Sequence, residues 1–519
     1  MEQLKKIDKK NKYIHIGIII LGIIFISLSA FHENIWFDES YSVSIARHSF
    51  SEIWNITGHD VHPPLYYWML HIIWMIFGDQ NIAFRLFSVL AIAILGVLGY
   101  THIRKDFGEK IGMLFSFLVY FLPVICIYSQ EIRMYSLAYL LVTIMAIYAY
   151  RFYKSVKDKN AMENQNKNLI IFAIFSILSC YTHYYALATA GLINLILFIF
   201  LIKNVLKARK QKDLDVKDKK EISKPLKKFL IAAIVQVILY IPWLLFLIEQ
   251  MTRVGGGFWI QLNLNTLIEV PSFQFRVQTD STINATAIIS LIVSIVLYIY
   301  MGYRIYKAKK IKEKILPAVI SIIIYITVIV AVLIISLIGS PILVGRYLLT
   351  LTGLYIFVFA FFMAKEERKW VTGIICAVIL ILSFIGNYNS IKNNYDTSNK
   401  EVMNFMEENI QKDDIIIYNE IGVGGVLASY FPDNKQYFYN QWYWDVEEAY
   451  KAYAPAMETV YSYDEILDNY QGRVWVVGTV GSNIYKDVPK DNMNTIIEAK
   501  EYKIAYQNCS YQFTLFEKK

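Results

Sequence analysis

The sequence predicts a polytopic α-helical membrane protein of about 11 transmembrane helices with a C-terminal extracytoplasmic α/β domain. Three observations lead there. Of 519 residues, 56% are hydrophobic and only 18% are charged, whereas soluble domains carry about 25% charged residues. Apolar runs long enough to cross a bilayer, roughly 20 residues each, recur until residue 389 and then stop. The segments joining those runs alternate between rich and poor in Lys and Arg.

Windows of about 19 residues place the spans at 13–31, 82–103, 110–128, 132–152, 168–182, 184–203, 227–248, 283–303, 315–338, 342–364 and 369–387. The basic start "MEQLKKIDKKNK" precedes an apolar run that is too long for a signal peptide core and lacks a small-residue cleavage pattern, so it reads as a retained helix. The connections "RKDFGEK", "RFYKSVKDKN", "YRIYKAKKIKEK", "KEERK" and the lysine-rich stretch 203–228 are basic. By the positive-inside rule these lie in the cytoplasm with the N-terminus, and the loop 32–81 lies outside. The stretch 203–228 is most simply a solvated topology signal that also attracts anionic lipid.

From residue 390 the pattern becomes that of a soluble α/β domain. "VMNFMEEN" has the spacing of an amphipathic helix, and "DDIIIY" and "RVWVVG" read as short buried strands. The division is therefore 1–389, a transmembrane catalytic domain that includes the outer loop 32–81, and 390–519, a soluble domain. Residues 390–519 hold 12 Lys and Arg against 20 Asp and Glu, a net of −8, while the rest hold 39 against 23. The basic excess thus belongs to the membrane part, at a net of +16, which removes the support for a nucleic-acid partner. An acidic domain after an odd number of spans belongs outside. Cys126, Cys180, Cys376 and Cys509 have neither disulfide nor metal-ligand spacing.

Chemistry-bearing residues cluster in the outer segments. "IWFDESYSVS" puts Asp38 and Glu39 directly after the first span. Two interfacial helices follow, the second in "HPPLYYWMLHIIWMIFG", whose Pro pair suits a helix start. "YSQEIRMYSLAYLL" brings Gln130, Glu131 and Arg133 into one turn, and "GSPILVGRYLLTL" carries Arg346 at the outer end of a span. Charges at such depth usually face a cavity or a bundle interior. Each has a plainer alternative. Asp38 suits a helix N-cap, Glu131 suits the N-terminal dipole of the next helix, and Arg346 suits snorkelling to headgroups. In a helix, adjacent side chains diverge by about 100°, so Asp38 and Glu39 do not converge on one hydroxyl. "GHDVHPP" offers His59 and His62 without a third local metal ligand, and a pre-proline His is often a turn residue. His183 sits at an outer turn. "RVGGGFWIQL" at 253–262 reads as a hinge rather than a phosphate loop.

The order "DES", "HPPLYYWMLHIIWMIFGD" with "RLFSVL", "YSQEIRMYSLAYLL" and a late "GRYLLTL" resembles bacterial glycosyltransferase family 39 and the related protein mannosyltransferase and aminoarabinose transferase families, with the likeness carried mainly by 32–152. The resemblance implies a GT-C-like fold and a polyprenyl-phosphate sugar donor. It also implies inverting transfer at the outer face of the cytoplasmic membrane to a hydroxyl of a cell-envelope glycan, lipid or protein. It makes Asp38 the base and puts His62 at the substrates; the residues themselves make Glu131 the candidate second acid and place Glu39, Tyr66, Gln130, Arg133, Arg346 and Tyr347 at the substrates. No metal ligand is assigned, and a divalent metal is left open as the one cofactor. The alternatives are a flippase of lipid-linked sugars and a silent scaffold. Against a flippase, the charges gather at one face rather than at the midplane within internal repeats.

Overall fold

The computed structural model describes residues 2–158, 163–211, 213–255, 260–278, 283–310, 314–443, 446–468, 470–482, 484–488, 493–503 and 510–519. The glycine run, apart from Gly255, and Cys509 lie outside the described residues. Two compact units form. One comprises Met1–Leu28, Phe87–Gln130 and Met134–Asn389; the other comprises Ser29–Leu86, Glu131–Arg133 and Ser390–Lys519. The loop 32–81 thus folds with the C-terminal region and not with the spans that flank it in sequence.

The first unit is a helical, multi-pass membrane body. Among the described residues, nine helices are long and apolar enough to cross a membrane, from Lys10–Ser27, within α1 (Glu2–Ser27), to Lys369–Asn409. The expectation was about 11, and two of the expected spans fall short for local reasons. The third runs as a helix over Glu109–Phe121 and stops at Leu122, which is extended (φ −69°, ψ 129°), before a new helix at Pro123–Tyr128. Proline lacks the N–H that would continue the ladder and pushes the residue before it out of helical conformation. The fifth, Gln165–Cys180, has 16 residues, about 24 Å at 1.5 Å per residue. The connection "KEERK" is pinned by a buried ion pair, Arg304 Nη1 to Glu366 Oε2 at 2.7 Å, with Arg368 Nε at 3.1 Å from the other carboxylate oxygen.

The second unit is built on a six-stranded sheet. Strands β1 (Ile415–Tyr418), β2 (Gln436–Tyr439), β3 (Met457–Val460), β4 (Arg473–Gly478), β5 (Met493–Tyr502) and β6 (Tyr511–Lys518) lie in the order β3-β2-β1-β4-β6-β5. The first four are mutually parallel, whereas β6 runs antiparallel to both β4 and β5. "IIIY" and "VWVVG" are uninterrupted apolar runs because β1 and β4 are neighbours in the middle of the sheet and buried on both faces.

Against the C-terminal region pack two short helices of the loop 32–81, α2 (Phe37–Ala46) and α3 (Phe50–Gly58), and α4 (Leu65–Phe77) packs on both of them. Ser49 and Glu52 form a capping box at the start of α3. The Trp54 and Trp68 rings stack at 5.7 Å, and His71 Nδ1 lies 2.9 Å from the Ala46 carbonyl. Arg47 at the end of α2 bridges Asp79 (2.9 Å) and the carbonyl of Ser429 (2.9 Å), which fixes α2 to the helix Ile421–Tyr430.

Removing one partner of a buried ion pair leaves the other charge uncompensated, at roughly 3–5 kcal/mol. Glu366→Leu is therefore expected to lower the thermal unfolding midpoint of the purified protein sharply. The double variant Arg304→Leu/Glu366→Leu should recover most of that loss.

Candidate functional site

The adjacent carboxylates of "DES" have separate fates. Glu39 is 1% exposed, and its two oxygens face Arg85 Nη1 at 2.5 Å and Nη2 at 2.8 Å. The same Oε1 accepts the backbone N–H of Ile132 at 3.0 Å. Arg85, itself fully buried on α5 (Asn81–Leu98), also donates to the Asn34 carbonyl. The Asn34 amide in turn donates to the carbonyls of Asn394 (3.0 Å) and Asp396 (2.9 Å). One bidentate pair thus joins α2, the start of α5, the Glu131–Arg133 turn and the segment leading into the C-terminal region. The sequence-based placement of Glu39 at a substrate meets a carboxylate already engaged by protein.

Asp38 is one residue away and partly exposed. It is not the N-cap, a position held by Trp36, but lies in the first turn of α2. There a negative charge is favoured by the helix dipole. Arg133 holds the turn from the other side, its Nη1 donating to the Asp38 carbonyl (3.1 Å) and to Ser42 Oγ (3.3 Å). Arg133 Nη2 lies 3.4 Å from His62 Nε2, and His62 Nδ1 lies 3.1 Å from Asp60 Oδ2.

These two neighbours fix the imidazole. A guanidinium only donates and a carboxylate only accepts, so His62 carries its proton on Nδ1 and presents a lone pair at Nε2. Burial, reinforced by the charge of Arg133, holds His62 below its ordinary pKa against the opposing pull of Asp60 and Asp38. Burial would raise Asp60, but His62, the Val61 backbone N–H and the Tyr41 hydroxyl together hold it low. The centre is therefore a neutral imidazole held by an ionised carboxylate, within electrostatic reach of Asp38.

The C-terminal region closes this cluster. Tyr453 Oη lies 3.2 Å from Ser40 Oγ, its ring meets Tyr41 edge-on at 6.2 Å, and its phenol feels the Asp38 charge. Room for it depends on Gly425. A Cβ there would sit 2.5 Å from Tyr453 Oη and 2.9 Å from the Phe37 ring.

Tyr66 is buried, its ring 5.7 Å from that of Tyr67. Glu131 is 7% exposed, in the same turn as Arg133. Gln130, Arg346 and Tyr347 belong to the helical unit. There Gln130 Nε2 donates to the Ile127 carbonyl at 3.3 Å. Tyr347 packs among Tyr135, Tyr185 and His183, with the His183 ring at 4.9 Å. Arg346 acts electrostatically on Glu269, as does Arg276; burial nonetheless raises Glu269 above the usual carboxylate range.

A divalent metal finds no cradle among the described residues. His59 Nδ1 is taken by the Asn55 carbonyl at 2.9 Å, and no group of three or more His, Cys, Asp or Glu is placed to hold an ion. An apolar cavity of about 250 Å³ in the helical unit, bordered by Phe107, Tyr150, Phe200 and Phe357, contains none of the sequence-assigned residues.

Sequence reasoning missed Asp60, Arg85 and Tyr453 as members of the cluster. Arg85 carried a signal, a cation within an apolar run. Tyr453 carried none, since its partner Ser40 is 413 residues away in the chain.

Residues 61–213 match the family model of the dolichyl-phosphate-mannose-protein mannosyltransferases. No curated protein matches the chain in sequence. Among solved structures, apo ArnT from Cupriavidus metallidurans is similar with a TM-score of 0.64 at 10% identity, over 96% of this chain and 97% of that one. The same protein bound to undecaprenyl phosphate gives 0.60 at 10% identity over the same shares. The oligosaccharyltransferase AglB from Archaeoglobus fulgidus, in complex with an inhibitory peptide and a dolichol-phosphate, gives 0.50 at 11% identity over 90% of this chain and 70% of that one. At these identities the likeness is one of fold. The chain has an ArnT-like fold.

Glu39→Ala leaves Arg85 charged, buried and unpartnered by a carboxylate, a change worth roughly 3–5 kcal/mol. The expected outcome is poor accumulation and a lowered unfolding midpoint. Asp38→Ala, at a partly exposed position outside that pair, should leave the midpoint nearly unchanged.

Proposed function

We propose that the chain is an inverting membrane glycosyltransferase that moves a sugar from a polyprenyl-phosphate donor to an acceptor hydroxyl at the outer face of the cytoplasmic membrane. The observation that carries this reading is the division of labour at Asp38 and Glu39. One side chain is spent on a buried brace, and the other belongs to a partly exposed residue beside a neutral histidine. The ArnT-like fold and the mannosyltransferase family match over 61–213 support it.

In the proposed reaction Asp38 takes the proton of the acceptor hydroxyl as the oxygen attacks the anomeric carbon from the side opposite the phosphate. The carbon–oxygen bond to phosphate breaks, and its electron pair leaves on the polyprenyl phosphate. The stereochemistry inverts and no redox partner is required. General-base help of this kind is worth about 10²- to 10⁴-fold.

Arg133 and His62 stabilise the first turn of α2 and surround the base with positive charge and a fixed lone pair. Asp60 is a positioning residue that sets the His62 tautomer. Glu131 is assigned as the second acid, Tyr66 to the wall of the pocket, and Gln130, Arg346 and Tyr347 to the donor. An arginine pairs with phosphate through parallel N–H bonds. The N-terminus is assigned to the cytoplasm and Ser390–Lys519 to the outside.

The test is transfer of label from a panel of radiolabelled polyprenyl-phosphate sugars by the purified protein in lipid with membrane extract. Wild type should transfer, and Asp38→Asn should fall by at least about 10²-fold with donor binding kept. Wild-type turnover by a folded Asp38→Asn protein would remove Asp38 as base. Donor binding without transfer, with acceptor present, would favour a flippase.

In the same assay Asp60→Asn should lower turnover by on the order of 10²-fold through misplacement of His62 and Arg133, with Asp60→Glu partly restoring it. Undiminished turnover by Asp60→Asn would leave the dyad without a part in the reaction.

A further inference from the structure

The stretch "NQWYWDVEEAY", residues 440–450, begins at the carboxyl end of β2 and is dense in aromatics. Its residues divide sharply. Tyr450 is 5% exposed and belongs to the core, whereas Trp442 is 64% and Tyr443 76% exposed. Trp444 and Asp445 lie outside the described residues. The Tyr443 ring stacks on that of Tyr461, with centroids 5.1 Å apart and planes 16° apart. Tyr461 follows β3 directly, and β2 and β3 are parallel neighbours, with Tyr439 opposite Val460. Both loops therefore leave the sheet at its carboxyl end, the end at which open α/β sheets bind ligands.

Tyr443 adopts φ 51°, in the left-handed region that side chains avoid, and its N–H donates to the Asn440 carbonyl at 3.1 Å. A turn alone would favour Gly or Asn there. A large aromatic held in that conformation, stacked on a second ring and turned to solvent, points to a surface kept for a ligand.

The surroundings select the ligand. The Tyr461 hydroxyl donates to Glu447, and Glu465 Oε1 accepts the N–H groups of Tyr461 (3.0 Å) and Ser462 (2.8 Å). The whole segment 390–519 is acidic, at 12 positive against 20 negative residues. Carboxylates beside flat apolar rings suit a polyol, whose hydroxyls donate to them while its C–H face lies on the rings, and they disfavour an anionic lipid surface.

We propose that Trp442, Tyr443 and Tyr461, bordered by Glu447, form a saccharide-binding platform. The platform rests on the transferase reading for its purpose and deepens it by naming the acceptor class, a glycan chain. The connection to the reaction is direct within this unit. The helix Glu447–Tyr450 runs into Lys451–Tyr453, and Tyr453 meets Ser40, two residues from Asp38.

The experiment uses the full chain in nanodiscs with two probes, chitohexaose and mannohexaose, read by saturation-transfer difference NMR without donor. At least one should bind saturably, with transfer to its ring C–H protons. Tyr443→Gly removes the ring at a backbone angle glycine accepts, so the unfolding midpoint should hold or rise while binding weakens at least tenfold. Trp442→Phe should bind more tightly than Trp442→Ala. Binding of neither probe, or undiminished binding by Tyr443→Gly, overturns the proposal. Quenching of the Trp442 fluorescence by brominated lipids, taken as the difference between wild type and Trp442→Phe, would place the rings in the bilayer and overturn it equally. Because binding is read without transfer, the two readings fail separately. A wild type that binds saccharide but never transfers sugar keeps the platform and loses the transferase; one that transfers without binding does the reverse.

Discussion

The Glu39–Arg85 pair is the constraint on which the second unit turns. Both side chains are removed from water, and desolvating two charges costs several kcal/mol each before their attraction is counted. Such a pair persists only with good geometry and with its remaining lone pairs satisfied. Here the guanidinium meets both carboxylate oxygens, the Ile132 N–H takes a further lone pair, and the Asn34 carbonyl accepts from Arg85. Three chain segments far apart in sequence are fixed by these contacts, and the Asn34 amide ties in a fourth at Asn394 and Asp396. The backbone of α2 is thereby immobilised at the residue next to Asp38, which gives that partly exposed residue a defined position.

The surrounding cations acquire a different meaning in this light. Arg133 offers positive charge in the right neighbourhood for a phosphate, yet two of its nitrogens are directed at α2 and His62. Its field still acts on whatever approaches Asp38, but its geometry is that of a brace. The neutral state of His62 follows from the same contact, because a protonated Nε2 would point a proton at a guanidinium.

Much of this was legible in the sequence, and what was not had physical reasons. The divergence of Asp38 and Glu39 follows from helix geometry alone, and the structure separates them as that geometry requires. β1 and β4 announced themselves as short apolar runs. The third span was legible as apolarity but not as one helix, because window averages do not see that Pro123 interrupts the ladder. The N-cap alternative for Asp38 failed on two residues, since the helix starts from Trp36, and such boundaries depend on what the preceding chain packs against. Asp60 was in plain view in "GHDVHPP", but only the folded turn turns its carboxylate towards Nδ1. Trp442 and Tyr443 were visible as aromatics without any sign of whether they faced core or solvent.

The least legible feature, the entry of the C-terminal region into the Asp38 cluster, is also the most consequential. α2 buries eight of its ten residues, and much of what covers it comes from Ile421–Tyr430 and Tyr453. Gly425 is a point of close approach, where the absence of a side chain lets helix, phenol and Phe37 ring meet. An appended domain connected by a flexible linker would leave such a helix complete without it. Here the helix bearing the proposed base would expose Phe37 and Tyr41 if residues after 390 were absent, and Ser40 would lose its phenol partner. The acidic α/β region is thus part of the framework that positions Asp38, and any acceptor it binds is held by the same segment that finishes the site.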